Sequence, residues 1–204
     1  MNRREAIAAG AAAAALMRAP GALAQEGEAP EISDYALGPA DAPVTMIEYS
    51  SLTCPHCARF HNEVYPQLKA DYIDPGKLRF VMREVYFDRP GLWAAMLARC
   101  GGEQRYFPIV GMLFEKQQQW IGDGSGQQIA ANLRRIGKVA GLSDEQIEAC
   151  FKDAAKAEAL VANFEENMTK RDVQGTPSFV IDGTLYSNMG YDRMKRLIDE
   201  ALTG

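Results

Sequence analysis

The sequence predicts an α/β fold in a single domain with a helical insertion. A strand pattern, a helical pattern and a second strand pattern follow one another over residues 44–89. Helical periods then fill residues 90–172, and strand patterns return in residues 173–204. The 204-residue length suits one well-packed domain.

Composition excludes several classes of protein. Hydrophobic residues make up 47% of the chain, and the net charge of −5 is modest, so a disordered chain is not expected. An acidic chain without a dense cluster of Lys or Arg is not expected to bind nucleic acid. The glycine-rich segment 122–126 lacks the Lys-Ser/Thr of a phosphate-binding loop and indicates a flexible connection.

The N-terminus, residues 1–24, is typical of an export signal. Arg3 and Arg4 precede an apolar run, and Ala22-Leu23-Ala24 has the small-x-small pattern of a cleavage site. The alternative is a retained tether, although the apolar run is shorter than the roughly 20 residues of a membrane span. Export to an oxidising compartment would permit disulfides. Residues 25–43 then form an N-terminal arm, in which Tyr35-Ala36-Leu37 could pair with a sheet.

The first strand, helix and second strand place a cysteine pair at a helix start. The β-branched run Val44–Tyr49 predicts a strand. Thr53 could then cap a helix that opens with Cys54-Pro55-His56-Cys57, where proline in the first turn loses no hydrogen bond. A second strand is expected from Leu78 toward Tyr86.

Later elements follow from periodicity and turn chemistry. Ser143 and Gln146 fit a capping box, and Asp182-Gly183 is a strong hairpin signal between two short strands. Three apolar helical stripes are expected in the insertion and one in a closing helix. Their members are Trp93, Met96, Leu97 and Cys100; Ile147, Cys150 and Phe151; Leu160, Val161, Phe164 and Met168; and Met194, Leu197, Ile198 and Ala201.

The pair Cys54 and Cys57 has three interpretations: a redox pair, part of a metal site, or two incidental thiols. A metal site needs about four ligands, and Cys57 with His61 on the same helix face would supply only two of them. A Cys-x-x-Cys pair that opens a helix after a buried strand favours redox chemistry, with no metal bound.

Together these motifs resemble the DsbA-like disulfide oxidoreductases. Cys54-Pro55-His56-Cys57 matches their active-site pattern, Thr176-Pro177 matches their cis-proline loop, and Glu48 matches their buried acidic position. The resemblance covers residues 34–203 and implies a thioredoxin fold with an inserted helical domain. Threonine before the proline is shared with isomerases of the wider group, whereas the best-known oxidases have valine there.

The residues of the motif also define an expected chemistry. At a helix N-terminus Cys54 should ionise readily and act as the nucleophile, and Cys57 should resolve or re-form the bond. His56 could donate to the Cys54 sulfur or be merely solvated, and Glu48 could relay protons or face solvent. If its peptide bond is cis, Pro177 would lie beside the cysteines and leave the Thr176 backbone free to bind an extended substrate; the alternative is a trans proline that starts a strand.

The expected function is that of an exported thiol–disulfide oxidoreductase that acts as an oxidase on reduced or unfolded proteins, and the resemblance implies the bacterial periplasm as its location. A disulfide isomerase or reductase is the nearest alternative, and an exported metal-handling module using Cys54, Cys57 and His61 is another. No cofactor is expected beyond the Cys54–Cys57 disulfide. The resemblance implies a membrane partner that reoxidises this pair, and the short N-terminal arm favours a monomer.

Cys100 and Cys150 are predicted to form a structural disulfide. Both lie on the apolar faces of predicted helices, so both should point inward where two helices could pack. The alternative is a pair of independently buried free thiols. Export favours the bond.

Overall fold

A five-stranded mixed sheet is the centre of the computed structural model, which describes residues 30–204. Its order is β1-β3-β2-β4-β5; β2 and β3 are parallel, and the other neighbouring pairs are antiparallel. The strands are β1 (Ala36–Leu37), β2 (Val44–Ser50), β3 (Leu78–Glu84), β4 (Ser178–Ile181) and β5 (Thr184–Ser187). The predicted export signal lies outside the described residues.

Strand β2 positions the site because it is the middle strand of the sheet. Antiparallel pairing with β4 sets Glu48 opposite Phe179 and Tyr49 opposite Ser178. Pro177 precedes Ser178 directly, so this register brings the Thr176-Pro177 loop to the end of β2 from which the cysteine-bearing segment leaves.

The helix after β2 begins one residue later than the sequence predicts. Cys54 is the N-cap residue, Pro55 occupies the first turn, and α1 runs over Pro55–Arg59. Thr53 does not cap it, because the N-cap position falls on Cys54; the Thr53 hydroxyl donates to Asp88 Oδ2 at 2.8 Å. The helix continues through a π-helical segment, α2 and a second π-helical segment, which are Phe60–Val64, Tyr65–Leu68 and Lys69–Ile73.

Six helices lie between β3 and β4. The three predicted stripes correspond to α3, α7 and α8, and the capping box of Ser143 and Gln146 is present. Residues 103–139, for which no stripe was predicted, add three more helices. In chain order the six are α3 (Arg89–Cys100), α4 (Glu103–Glu115), α5 (Gln117–Ile121), α6 (Gly126–Val139), α7 (Asp144–Lys152) and α8 (Ala154–Arg171).

The C-terminal elements follow the sequence pattern closely. Asp182 and Gly183 both have positive φ, 45° and 82°, as the tight turn of a two-residue hairpin requires. The closing helix α9 spans Tyr191–Thr203 and buries Met194 and Ile198. Within residues 30–204, no helix combines the length and apolar character needed to cross a bilayer.

A buried ion pair ties the insertion to the sheet and the N-terminal arm. The Arg99 guanidinium of α3 donates two 2.7 Å hydrogen bonds to the Glu84 carboxylate of β3 and one to the Ser33 carbonyl oxygen at 3.0 Å. The Tyr106 hydroxyl of α4 also donates to Glu84, at 2.8 Å. Both oxygens of the Glu84 carboxylate are therefore paired. Removing one partner would leave a buried charge uncompensated and would lower the stability of the fold strongly.

A disulfide joins Cys100, at the end of α3, to Cys150 in α7, with the two Cα atoms 5.9 Å apart. The bonded residues are 50 positions apart, so the link closes a loop that contains α4, α5 and α6. Closing a loop of this size restricts the unfolded chain and thereby favours the folded one.

We predict that the Cys100→Ala/Cys150→Ala variant loses about 4 kcal/mol of unfolding free energy, the value that the chain-entropy model gives for this loop. Urea unfolding should be compared in a background with serine at positions 54 and 57, so that the second cysteine pair cannot contribute. Equal unfolding free energies for the two proteins would contradict the prediction.

Candidate active site

Cys54 and Cys57 are free thiols in different surroundings, although they are only three residues apart. Cys54 is half-buried at the N-cap, where its own N–H donates to the Ser51 carbonyl oxygen at 3.0 Å. Cys57 is fully buried one turn further along α1. Of the two sulfur atoms, only Cys54 Sγ is therefore open to attack by a large substrate.

The same difference separates their acidities. The pKa of Cys54 is lowered from its ordinary value of 9.0 to about 5, chiefly by a hydrogen bond from Cys57, and further by Thr176 and the backbone N–H groups of Cys57 and His56. Burial opposes this shift. The pKa of Cys57 is raised, chiefly by burial, then by its hydrogen bond to Cys54 and the negative charge of Glu48.

The Thr176-Pro177 loop lies directly against the nucleophile. The peptide bond between these residues is cis, and the Cys54 thiol is 3.5 Å from the Thr176 carbonyl oxygen. An open cleft of about 440 Å³ runs beside the loop. Its lining includes Gln174, Leu185 and Tyr186, and so it combines polar and apolar side chains. The loop therefore has one face toward the sulfur and another toward a space that a peptide segment could enter.

Glu48 and His61 form a buried pair beneath the cysteines. His61 Nε2 lies 2.8 Å from Glu48 Oε2, and the two side chains are only 4% and 0% exposed. The π-helical segment Phe60–Val64 carries His61, whose ring stacks on Phe114 with centroids 4.1 Å apart. Glu48 Oε1 has no hydrogen-bond partner within residues 30–204. A buried carboxylate with one unpaired oxygen can accept a proton there.

The residues between the two cysteines are placed differently. Both Pro55 and His56 are exposed, although they lie between the half-buried Cys54 and the buried Cys57. The backbone N–H of His56 acts on the Cys54 sulfur, as described above.

The candidate metal pair does not extend to a cluster. His61, considered with Cys57 as a pair of ligands, is engaged by Glu48. Among the described residues, no group of three His, Cys, Asp or Glu side chains is arranged to hold a metal ion. The geometry thus gives more support to the redox interpretation.

Sequence reasoning missed two contacts from the helical insertion to this site. Gln117 of α5 donates to the backbone carbonyl oxygens of Leu52 and Cys54, and Asp88 accepts from Thr53. Gln117 is one of three consecutive glutamines, and nothing in the sequence distinguishes it. The sequence Asp88-Arg89-Pro90 is typical of a helix start. It could have predicted that Asp88 caps α3, but not that Asp88 accepts a hydrogen bond from Thr53.

Comparison with known proteins identifies the family. A family model described as Thioredoxin matches residues 31–200. The chain superimposes on the crystal structure of α-DsbA1 from Wolbachia pipientis with a TM-score of 0.77 and 28% identity, covering 85% of this chain and 93% of that one. The chain is a DsbA-like member of the thioredoxin family.

Two further similar proteins have names that refer to protein disulfides. A protein-disulfide isomerase structure from Novosphingobium aromaticivorans has a TM-score of 0.76 and 26% identity, covering 84% of this chain and 98% of that one. A Rickettsia typhi protein named as a protein-disulfide oxidoreductase is 33% identical over 171 residues, which are 83% of this chain. The match spans only 62% of that relative's length. The thioredoxin fold with a helical insertion is thereby confirmed.

For this DsbA-like protein we predict that thiolate absorbance near 240 nm shows one titration with a midpoint of about pH 5. Because the pKa of Cys54 is lower in the folded than in the unfolded chain, this group stabilises the reduced fold fully above pH 9. That stabilisation is lost as the pH falls from 9 toward 5.

The control is Cys54→Ser, which should abolish the absorbance step. The oxidised protein should lack this contribution to the pH dependence of stability, since it has no Cys54 thiol to titrate. A Cys54 midpoint near 9 would contradict the prediction.

Proposed function

We propose that the protein is an exported thiol–disulfide oxidase that transfers its Cys54–Cys57 disulfide to reduced or unfolded proteins. The placement of a half-buried Cys54 at the N-cap of α1, where its pKa is lowered, is the observation that carries this direction. A stable thiolate favours the reduced form of the pair, and a pair that favours its reduced form is an oxidant.

The transfer has two steps. A substrate thiolate attacks Cys54 Sγ of the disulfide, forming a mixed disulfide and releasing Cys57 as a thiolate, which takes up a proton. A second substrate thiolate then attacks the substrate sulfur of the mixed disulfide and releases Cys54 as a thiolate. The substrate loses two electrons and gains a disulfide, and the protein ends as the reduced dithiol. The low pKa of Cys54 makes it a good leaving group in the second step.

Glu48 and His61 supply the proton that Cys57 needs. Cys57 is buried and its pKa is raised, so it does not persist as a thiolate. The free oxygen of Glu48, Oε1, accepts or returns a proton, while His61 Nε2 holds the other oxygen, Oε2, at 2.8 Å. In the reverse direction, when the pair is reoxidised, the same carboxylate removes the proton from Cys57 so that it can attack.

The loop before β4 binds the substrate. Pro177 has no N–H, and the Thr176 carbonyl oxygen lies 3.5 Å from Cys54 Sγ. An extended segment that lies along Thr176 as an added strand would thus bring its cysteine to the nucleophile. Pairing through the main chain does not depend on particular side chains, so it suits a broad range of unfolded substrates.

The partner and the location are proposed by analogy with the DsbA-like family. After each transfer the dithiol must be reoxidised, and we assign this step to a membrane redox partner. The periplasm of a bacterium is the proposed location, with the protein acting as a monomer and without a cofactor other than its own disulfide. An oxidising compartment also suits the Cys100–Cys150 bond.

Disulfide isomerase activity is the second candidate. Thr176 stands before the proline, as in the isomerases of the wider group, and the Novosphingobium structure of similar fold is named as an isomerase. An isomerase works in its reduced form on wrongly paired disulfides. An oxidase starts in its disulfide form and gives that disulfide to the substrate. The two activities therefore need different starting states of Cys54 and Cys57.

We predict that one equivalent of the oxidised protein transfers one disulfide to a reduced, unfolded model protein, as measured by loss of substrate thiols. Cys54→Ser should abolish the transfer. Mixed with a substrate protein that contains a disulfide, Cys57→Ser should accumulate a mixed disulfide, because its Cys54 thiolate attacks the substrate disulfide and no Cys57 thiol remains to release the substrate. No net oxidation, together with rearrangement of a scrambled substrate by the reduced protein, would favour the isomerase. A mixed disulfide trapped by Cys54→Ser instead would reverse the roles of the two cysteines.

We also predict that Glu48→Gln slows the attack of Cys57 on a mixed disulfide by about 100-fold, the lower range for loss of a general acid–base. The amide keeps the size of Glu48 and can still accept from His61, but it cannot take a proton. Release of glutathione from a Cys54–glutathione adduct measures this step alone. Tyr65→Phe, beside the His61 ring, is the matched control and should release glutathione at the wild-type rate. Equal rates for Glu48→Gln and wild type would rule out the relay.

A further inference from the structure

One side chain of the helical insertion holds the backbone of the nucleophile. Gln117, Gln118 and Gln119 begin α5, and only Gln117 is buried, with 5% exposure. Gln117 Nε2 donates to the Leu52 carbonyl oxygen at 2.9 Å and to the Cys54 carbonyl oxygen at 3.0 Å. Both hydrogens of the amide are thereby used on one short loop.

The two carbonyl groups belong to the junction between β2 and α1. The Cys54 carbonyl oxygen also accepts from the Ala58 N–H at 3.1 Å, which is the first hydrogen bond of the helix. Gln117 is therefore bonded to the residue at which the helix begins and whose side chain is the nucleophile. The place of this carbonyl fixes where the next N–H groups along α1 point.

Neighbouring hydrogen bonds hold α5 and the loop in place. Trp120 of α5 is buried and donates its indole N–H to the Leu113 carbonyl oxygen at 2.8 Å, which ties α5 to α4. On the other side of the loop, Asp88 accepts from the Thr53 hydroxyl and, at 2.7 Å, from the Gly91 N–H at the start of α3. The loop is thus bound both by α5 of the insertion and by Asp88, the N-cap residue of α3.

We infer that Gln117 is a positioning residue: its amide holds the Cys54 carbonyl so that the N–H groups of His56 and Cys57 stay directed at Cys54 Sγ. The inference rests on the proposed function only for its biological meaning, since a thiol titration can test it without any substrate. Those N–H groups stabilise the thiolate. Release of the carbonyl would let the first turn of α1 shift and weaken that stabilisation.

A purely structural glutamine would behave differently. Gln117 also satisfies two buried carbonyl oxygens, so its loss should lower stability whatever its effect on the sulfur. Stability alone therefore cannot decide between the two roles. The pKa of Cys54 and the equilibrium of the pair with glutathione can, because they report the thiolate specifically.

The test compares Gln117→Met with Gln118→Met in the full chain. Methionine keeps the length and helix propensity of glutamine but donates no hydrogen bond. Gln118 is exposed, in the same helix and of the same type, and so it is the matched control. The pKa of Cys54 is read from thiolate absorbance, the redox equilibrium from glutathione titration, and stability from urea unfolding.

We expect Gln117→Met to raise the pKa of Cys54 and to make the pair a weaker oxidant by about fivefold in its equilibrium constant, the effect of losing one ordinary hydrogen bond. Gln118→Met should match wild type in both. Lower stability of Gln117→Met with a Cys54 pKa equal to that of Gln118→Met would overturn the inference and leave a structural role only.

Gln117→Asn decides the question if Gln117→Met does not fold. Its amide is one methylene shorter, so it cannot make both bonds, and the pKa of Cys54 should rise above the wild-type value. An unchanged pKa in this variant also overturns the inference. Failure of wild type to oxidise a substrate would overturn the proposed function instead, and it would leave these titrations interpretable.

Discussion

The start of α1 at Cys54 is the constraint on which the chemistry of this protein depends. Because the helix begins at this residue, its sulfur accepts a hydrogen bond from Cys57 one turn later and further ones from the first N–H groups of the helix, and the pKa of Cys54 is lowered to about 5. One turn later Cys57 enters the core, where burial raises its pKa. Two cysteines with identical side chains therefore have different roles: Cys54 is the leaving group, and Cys57 is the resolving thiol, which stays protonated between steps. A shift of the helix start by one residue would remove this difference.

Three distant parts of the chain fix that helix start. The Thr176 carbonyl reaches Cys54 from the loop before β4, Gln117 reaches it from α5, and Asp88 reaches Thr53 from the beginning of α3. The last two belong to the segment around the helical insertion. The insertion therefore does more than cover one side of the sheet, since it contacts the backbone of the reactive loop itself.

Sequence predicted the features that depend on near neighbours and missed those that depend on distant ones. The Asp182-Gly183 hairpin could be predicted because its chemistry is local. The site residues Cys54 and Cys57 could be proposed for the same reason. Gln117 could not be separated from Gln118, because only tertiary packing buries one and exposes the other. The predicted Thr53 cap was wrong because Cys54 is the N-cap residue, and the Thr53 hydroxyl donates to Asp88, 35 residues away.

The two buried carboxylates of the sheet, Glu84 and Glu48, have different surroundings and therefore different roles. Glu84 accepts hydrogen bonds at both oxygens from Arg99 and Tyr106, so it is fully paired and suited to holding elements together. Glu48 is fully buried with only His61 as partner, and its second oxygen is unpaired within residues 30–204. An unpaired buried oxygen costs stability, and packing alone gives no reason to keep it. Its negative charge acts on Cys57, which gains and loses a proton in each cycle of the proposed mechanism.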